Sequence, residues 1–130
     1  WLATAELEWQ PSETTRVVVG YGHDVVVDPG AQYETNKLNA EARQLVAGRF
    51  ALALTAGFDQ LSYTTGSNTI TTGSSTILRV SPTVGVEVTR WLRAEVGYAY
   101  TDRAASSDAT GFAANEYSKS EAWLKAVATY

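Results

Sequence analysis

Two carboxylates near the start of the chain, Glu6 and Glu8, have the residue type and spacing of a general acid–base pair. Residues two positions apart in a β-strand project from the same face, so these groups would lie side by side. Some hydrolases use such a pair to transfer protons to and from a bound substrate. A polar wall that carries ordinary charged residues explains the pair as well, and we interpret it in that way.

His23 is the single histidine of the chain, so any Ser-His-Asp mechanism would have to use it. It lies in a stretch rich in valine and tyrosine, beside a predicted loop, where an interfacial role similar to that of an aromatic residue is the better interpretation. One histidine, no cysteine and scattered aspartates provide no metal-ligand spacing. The glycines lie in predicted strands and turns, and none forms a phosphate-binding loop. The sequence therefore predicts neither an enzyme nor a cofactor.

The elements that would position such side chains are clearest between Leu78 and Asp102. Every second residue from Leu78 to Val88 is apolar, and the alternation resumes from Ala94 to Tyr100. This pattern predicts a β-hairpin with strands of about ten residues. Strands of soluble sandwiches usually have about five or six residues, whereas a tilted bilayer crossing needs about nine to eleven. Strand length therefore favours a transmembrane β-barrel.

Similar alternation elsewhere predicts seven strands, no helix and a single domain over residues 1–130. Short turns are predicted at 11–13, 47–49 and 89–91, long loops at 29–36, 64–75 and 104–115, and a bulge at Gly20–Gly22. Transmembrane barrels gather short turns at the periplasmic end and long loops at the outer end. The predicted fold is all-β, an antiparallel up-and-down transmembrane β-barrel whose seven long strands form part of a larger barrel.

Composition excludes several other classes of protein. The net charge of −4 provides no basic field for nucleic acid. The absence of cysteine excludes disulfides and thiol chemistry. No stretch approaches the roughly 18 apolar residues of a membrane-spanning helix.

A barrel would divide its side chains between the lumen and the surrounding lipid. A lysine or arginine in hydrocarbon would cost about 2–4 kcal/mol at the bilayer midplane, so we assign the charged face to the lumen. The residues predicted to face the lumen are Glu6, Glu8, Arg16, Lys37, Glu41, Arg43, Asp59, Arg79, Glu87, Arg93, Glu95, Lys119, Glu121 and Lys125. Those predicted to face lipid are Leu7, Trp9, Val17, Val19, Leu52, Leu54, Phe58, Val84, Val86, Val96, Tyr98 and Leu124. The mixed signs suit a water-filled or plugged lumen better than a filter with rings of one charge.

Three segments resemble the C-terminal part of a β-barrel porin family whose members often sit beside exopolysaccharide export genes. They read LEWQPSETTRVVVGYGHDV, VGVEVTRWLRAEVGYAYTDRAASS and NEYSKSEAWLKAVATY. The resemblance is one of pattern and spacing over most of the chain. It implies a Gram-negative outer-membrane location and a transport role, and it supplies no catalytic residue. The terminal Tyr130, preceded by apolar residues at alternate positions, is similar to the closing signature of bacterial outer-membrane barrels.

We therefore expect an outer-membrane barrel, or part of one, that forms or scaffolds a pore for polysaccharide or small solutes. Two alternatives remain: a structural sheet that assembles between chains, and a soluble β-sandwich that serves as an adhesin or binding module. Single-chain bacterial barrels normally have an even number of strands, so seven would not close. Open edges would leave backbone groups unpaired in lipid. The expected partners are outer-membrane lipid and either missing N-terminal strands or other chains.

Overall fold

The computed structural model of the chain describes residues 2–28, 31–65, 71–105 and 116–128. They form seven strands: β1 (Leu2–Ser12), β2 (Thr15–Asp28), β3 (Ala31–Val46), β4 (Phe50–Thr65), β5 (Thr71–Thr89), β6 (Leu92–Ala105) and β7 (Tyr117–Ala128). None of these residues is helical, and the described ranges contain no helix suited in length and apolarity to crossing a membrane. The Tyr130 signature lies outside the described residues.

The strands form one sheet in chain order, each antiparallel to the one before it. β1 and β7 lie at the two edges and do not pair with each other, so the sheet is not closed. This confirms the predicted seven antiparallel up-and-down strands. It also agrees with the expectation that these strands do not close by themselves.

The sheet has almost no buried core. Among the described residues only Tyr63, Ser75, Gly85 and Gly97 are buried, Tyr63 and Ser75 at 8% and 2% exposure, while many large apolar side chains remain exposed. A sandwich requires two sheets packed face to face, and the described residues form a single layer. A hydrophobic face normally packs against another layer, and the described residues provide no second layer for the exposed apolar surface.

The short connections lie at one end of the sheet, at or close to the predicted positions; β1 continues through Pro11 and Ser12, so the first turn comprises residues 13–14 and not 11–13. The turn between β3 and β4 is a tight hairpin turn in which Ala47 and Gly48 have φ values of 51° and 66° and Arg49 N donates to Val46 O at 3.3 Å. Two positive φ angles at the central positions define a type I′ turn, which matches the twist of the flanking strands. The other short turns follow Ser12 and Thr89.

The strand ladder departs from regularity at two places, both beside short turns. The register shifts by one residue between Trp9 and Ser12 and again between Glu87 and Thr89. Pro11 lies within the first of these shifts, where a residue without a backbone N–H is tolerated. The bulge predicted at Gly20–Gly22 is wrong, because both ladders of β2 run through these glycines without a shift.

The long loops are shorter than predicted because the strands continue through polar sequence. The loop predicted at 29–36 is wrong: β2 reaches Asp28, β3 begins at Ala31, and the two residues pair. β4 and β5 likewise extend into the loop predicted at 64–75, and β6 reaches Ala105. The rest of these two loops, 66–70 and 106–115, lies outside the described residues. The extensions carry polar residues where the sheet's apolar face would continue, so the alternation that marks a strand is missing.

We expect that replacing Ala47 with asparagine will stabilise the hairpin of β3 and β4 by about 1 kcal/mol. A left-handed conformation costs an alanine roughly this amount, and asparagine adopts it more easily. Urea unfolding of the protein in lipid vesicles would measure the change. Ala51→Asn, in β4 rather than at a positive φ, is the control and should not stabilise the protein. An unchanged midpoint for Ala47→Asn would contradict the turn geometry.

Candidate functional site

The two faces of the sheet separate charged from apolar residues. Directly paired residues lie on the same face, as in the row Glu8, Val18, Glu41, Thr55 and in the neighbouring row Trp9, Val17, Ala42, Leu54. Followed through all six ladders, the fourteen residues predicted to face a lumen lie on one face, here called the charged face. The twelve predicted to face lipid lie on the other, the apolar face.

The apolar face carries a continuous apolar band. On β4 it runs from Phe50 to Phe58, and on β6 from Leu92 to Tyr100, with an apolar residue at every second position. At roughly 3.4 Å per residue, each strand crosses the band in about 27 Å. A strand tilted by about 40° would then cover a height of about 21 Å, somewhat less than the apolar belt of about 25 Å found on transmembrane barrels.

The band runs obliquely to the hydrogen-bonded rows. Its upper limit, on the side of the long connections, is the row Tyr21, Leu38, Phe58, Leu78 on β2 to β5. The partner of Leu78 on β6 is Asp102, so the limit moves down to Tyr100 on β6 and to Ala122 on β7. The lower limit moves in the same direction, from Trp9 and Val17 on β1 and β2 to Val46, Phe50, Val86 and Leu92 on β3 to β6. Strands inclined to a level band are the geometry of a tilted barrel.

Tyrosines at the upper limit of the band direct their hydroxyl groups away from it. Tyr21 Oη donates to Asn36 Oδ1 at 2.8 Å. Tyr98, whose partner Ala122 is the limiting residue of β7, donates from Oη to Ser120 Oγ at 2.8 Å. Each acceptor lies in the next row of the same face, nearer to the long connections than its tyrosine. At the lower limit lie Trp9 and Phe50, with Trp91 in the adjoining turn, 58% exposed. Aromatic rings at both limits, with tyrosine hydroxyl groups directed outward at the upper one, are typical of the interfacial girdles of membrane proteins.

Above the band the same face becomes mostly polar, with Val25 and Val27 of β2 as exceptions. On this face, the next row above Tyr21 and Leu38 pairs His23 with Asn36, and His23 Nδ1 lies 2.7 Å from Asn36 Oδ1. Gln60 and Thr76 continue this row. His23 therefore lies beside Tyr21 just beyond the band, on the opposite face from Glu6 and Glu8. The structure does not bring the histidine together with the carboxylate pair.

The charged face carries several ion pairs between side chains. The Arg16 guanidinium binds both carboxylate oxygens of Glu8, at 2.8 and 3.1 Å. Arg79 Nη1 lies 2.8 Å from Asp59 Oδ2, and Lys119 Nζ lies 2.7 Å from Glu121 Oε1. Exposed pairs of this kind contribute about 0–1 kcal/mol each to stability. Their main effect is to balance charge along the wall, and the bidentate contact of Arg16 occupies the Glu8 carboxylate that an acid–base pair would need.

Sequence reasoning missed two contacts in which an aromatic ring covers a glycine of the next strand. On the charged face Trp123 lies over its ladder partner Gly97, and Tyr63 lies over Gly73. A Cβ atom on either glycine would overlap the ring. Only the strand register brings these residues together, so no spacing in the sequence signals them.

The lysines and arginines are also restricted in position. Of the ten lysines and arginines of the chain, eight lie on the charged face, and Arg49 and Arg90 lie in the short turns. None lies on the apolar face of the described strands. The described residues also hold no group of three or more histidine, aspartate or glutamate side chains arranged for a metal ion.

Comparison with known proteins adds no relative: no family model, no curated protein and no solved structure matches this chain. The two faces, the oblique band and the distribution of charge are the features of the chain that bear on its function.

Proposed function

We propose that this chain forms part of the wall of a transmembrane β-barrel in a bacterial outer membrane, with its apolar face against lipid and its charged face toward the lumen. The observation that carries the proposal is the oblique apolar band, limited at both ends by aromatic residues. Leu54, near its centre, is 47% exposed, and Val84 is 42% exposed. An exposed apolar patch of this extent marks a membrane or an interaction surface.

The alternatives explain less of this geometry. A soluble sandwich would need a second layer, which the described strands do not provide. A sheet that assembles between chains could cover its apolar face by stacking. Stacking gives no reason for the tyrosine hydroxyls to turn outward at one limit of the band, or for both limits to shift together across the rows. Contact with lipid accounts for both features, because interfacial rings keep their polar ends in water.

Completion of the barrel needs further strands. β1 and β7 are separated by six antiparallel steps and therefore run in the same direction. Closure with antiparallel pairing alone requires an odd number of additional strands, supplied by upstream sequence or by other chains. The backbone groups of both edges would otherwise be exposed to lipid, at several kcal/mol for each unsatisfied group.

The charged face suits a passage for polar solutes. It carries both signs of charge, with ion pairs such as Arg79 with Asp59 and with like-charged neighbours such as Arg16 and Arg43, so no single sign dominates the wall to select ions. We propose passage of polysaccharide or small solutes, in line with the resemblance to porins. Conductance of the assembled barrel in planar bilayers would support an open pore. Absence of conductance would indicate a scaffold without an open pore.

Site-directed spin labels test which face meets lipid. In vesicles, a nitroxide at Val84 should be more accessible to oxygen, and one at Glu87 to an aqueous nickel complex. The two residues lie on opposite faces of β5, so they form a matched pair on one strand. Reversed accessibilities, or aqueous accessibility at both positions, would contradict the proposal.

A further inference from the structure

Arg49 and Arg90 differ from the other basic residues in position. Arg49 ends the turn between β3 and β4, and Arg90 lies in the turn between β5 and β6. β4 pairs with β5, and Glu87 N donates to Arg49 O at 2.9 Å, so the two turns lie next to each other. Both arginines therefore lie at the end of the sheet that carries the short turns, at the lower limit of the apolar band.

Both arginines line one cavity. It has a volume of about 240 Å³ and is formed by Arg49, Glu87, Val88, Thr89 and Arg90. Within the described ranges neither guanidinium forms an ion pair, whereas Arg16, Arg79 and Arg93 on the charged face each have a carboxylate partner within 4.0 Å. The cavity therefore combines two guanidinium groups with the hydroxyl group of Thr89 and a single carboxylate, Glu87, which leaves its lining with a net positive charge.

The surroundings of the cavity are apolar on the side of the band. Val88, the extra residue at the register shift of β5, is 54% exposed, Trp91 is 58% exposed and Phe50 is 45% exposed. A ligand that fills the cavity would thus have guanidinium groups at one end and exposed apolar surface at the other. This is the arrangement that an anionic head with a hydrocarbon tail requires.

We propose that Arg49 and Arg90 bind the phosphate group of an anionic phospholipid at the short-turn rim of the barrel. The guanidinium group matches the geometry of phosphate oxygens and can bind two of them at once. The Thr89 hydroxyl is placed to donate a further hydrogen bond, while Val88 and Trp91 meet the start of the acyl chains. This inference rests on the proposed insertion into a membrane, since the lipid reaches the rim only there.

Lipid selectivity measured by electron spin resonance tests the site. The protein is reconstituted in phosphatidylcholine vesicles with spin-labelled phosphatidylglycerol or spin-labelled phosphatidylcholine, and the motionally restricted fraction of each label is compared. The wild-type protein should prefer phosphatidylglycerol several-fold. The double variant Arg49→Gln/Arg90→Gln should lower this preference to nearly one. The control Lys37→Gln/Lys125→Gln removes the same charge from the charged face and should retain it.

The outcomes separate this inference from the proposed function. If the wild-type protein restricts the motion of lipid but shows no preference for phosphatidylglycerol, the proposed site is overturned and the membrane proposal stays intact. No restricted lipid at all would overturn both. A preference that survives in Arg49→Gln/Arg90→Gln would also overturn the site. Inorganic phosphate equimolar with the lipid, with chloride matched for ionic strength, distinguishes the ligand. The preference should persist, because free phosphate lacks the apolar contacts with Val88 and Trp91; its complete loss would mean that the arginines bind free phosphate equally well and would refute a lipid site.

Discussion

Replacing Leu54 with arginine should largely prevent insertion of the protein into lipid vesicles. Leu54 lies near the centre of the apolar band, paired with Ala42 and Pro82 on the neighbouring strands. An arginine at the bilayer midplane on the lipid side of a barrel costs about 2–4 kcal/mol. That cost corresponds to a decrease of roughly 30-fold to 700-fold in the equilibrium constant for insertion. Flotation of the vesicles after urea dilution would measure the inserted fraction.

Thr55→Arg is the matched control for this experiment. Thr55 is the next residue of β4 and lies on the charged face, opposite Glu41 and Ser81. An arginine there would join a wall that already holds paired arginines, so insertion should remain close to that of the wild-type protein. Equal insertion of both variants, or equal failure of both, would show that the two faces of the sheet do not differ in their contact with lipid.

Gly97→Ala should destabilise the protein by about 1–3 kcal/mol, the usual cost of forcing extra atoms into a filled site. The Trp123 ring occupies the space that the new Cβ would enter, so the ring must move away from β6. Urea unfolding in vesicles would measure the loss. Gly57→Ala is the control, since a Cβ there meets only Arg79 atoms at 3.9 Å. It should leave stability unchanged or raise it slightly.

A double variant shows whether the ring is the cause. Gly97→Ala/Trp123→Ala removes the overlap, so its free energy of unfolding should exceed the value expected from adding the two single effects, by about 0.5–3 kcal/mol. Strict additivity would show that Trp123 does not cover Gly97. An equal loss of stability in Gly57→Ala would instead attribute the effect to backbone freedom at any glycine of the sheet.

The division of residues between two faces was predictable because it depends on a period of two and on little else. Val84 and Glu87 lie three positions apart, so they fall on opposite faces in any extended strand. The ends of the strands were not predictable in the same way. Gln32, Glu34 and Asn36 put polar groups where the apolar face would continue, so β3 shows no alternation there, although ladders on both sides hold it as a strand.

Pro11 indicated an irregularity of the strand ladder correctly, whereas Gly20 and Gly22 did not. The conformational freedom of Gly20 and Gly22 suggested a bulge, but a regular ladder on both sides of β2 leaves that freedom unused. Pro11 marked a true irregularity because it lacks the N–H that a ladder needs. Gly97 and Trp123 meet only through the register of β6 with β7, which a local pattern in the sequence does not contain.

The pairing of each strand only with its neighbours in the chain has a consequence for how such a protein can evolve. A hairpin is the smallest piece of gene that can be duplicated or deleted without breaking the remaining ladders. Each such event changes the strand number by two, so it alters the circumference of the wall and leaves the relative direction of its two edges unchanged. Lineages built by hairpin duplication from this sheet would all inherit two edges that run in the same direction. Only a gain or loss of an odd number of strands could change that inheritance.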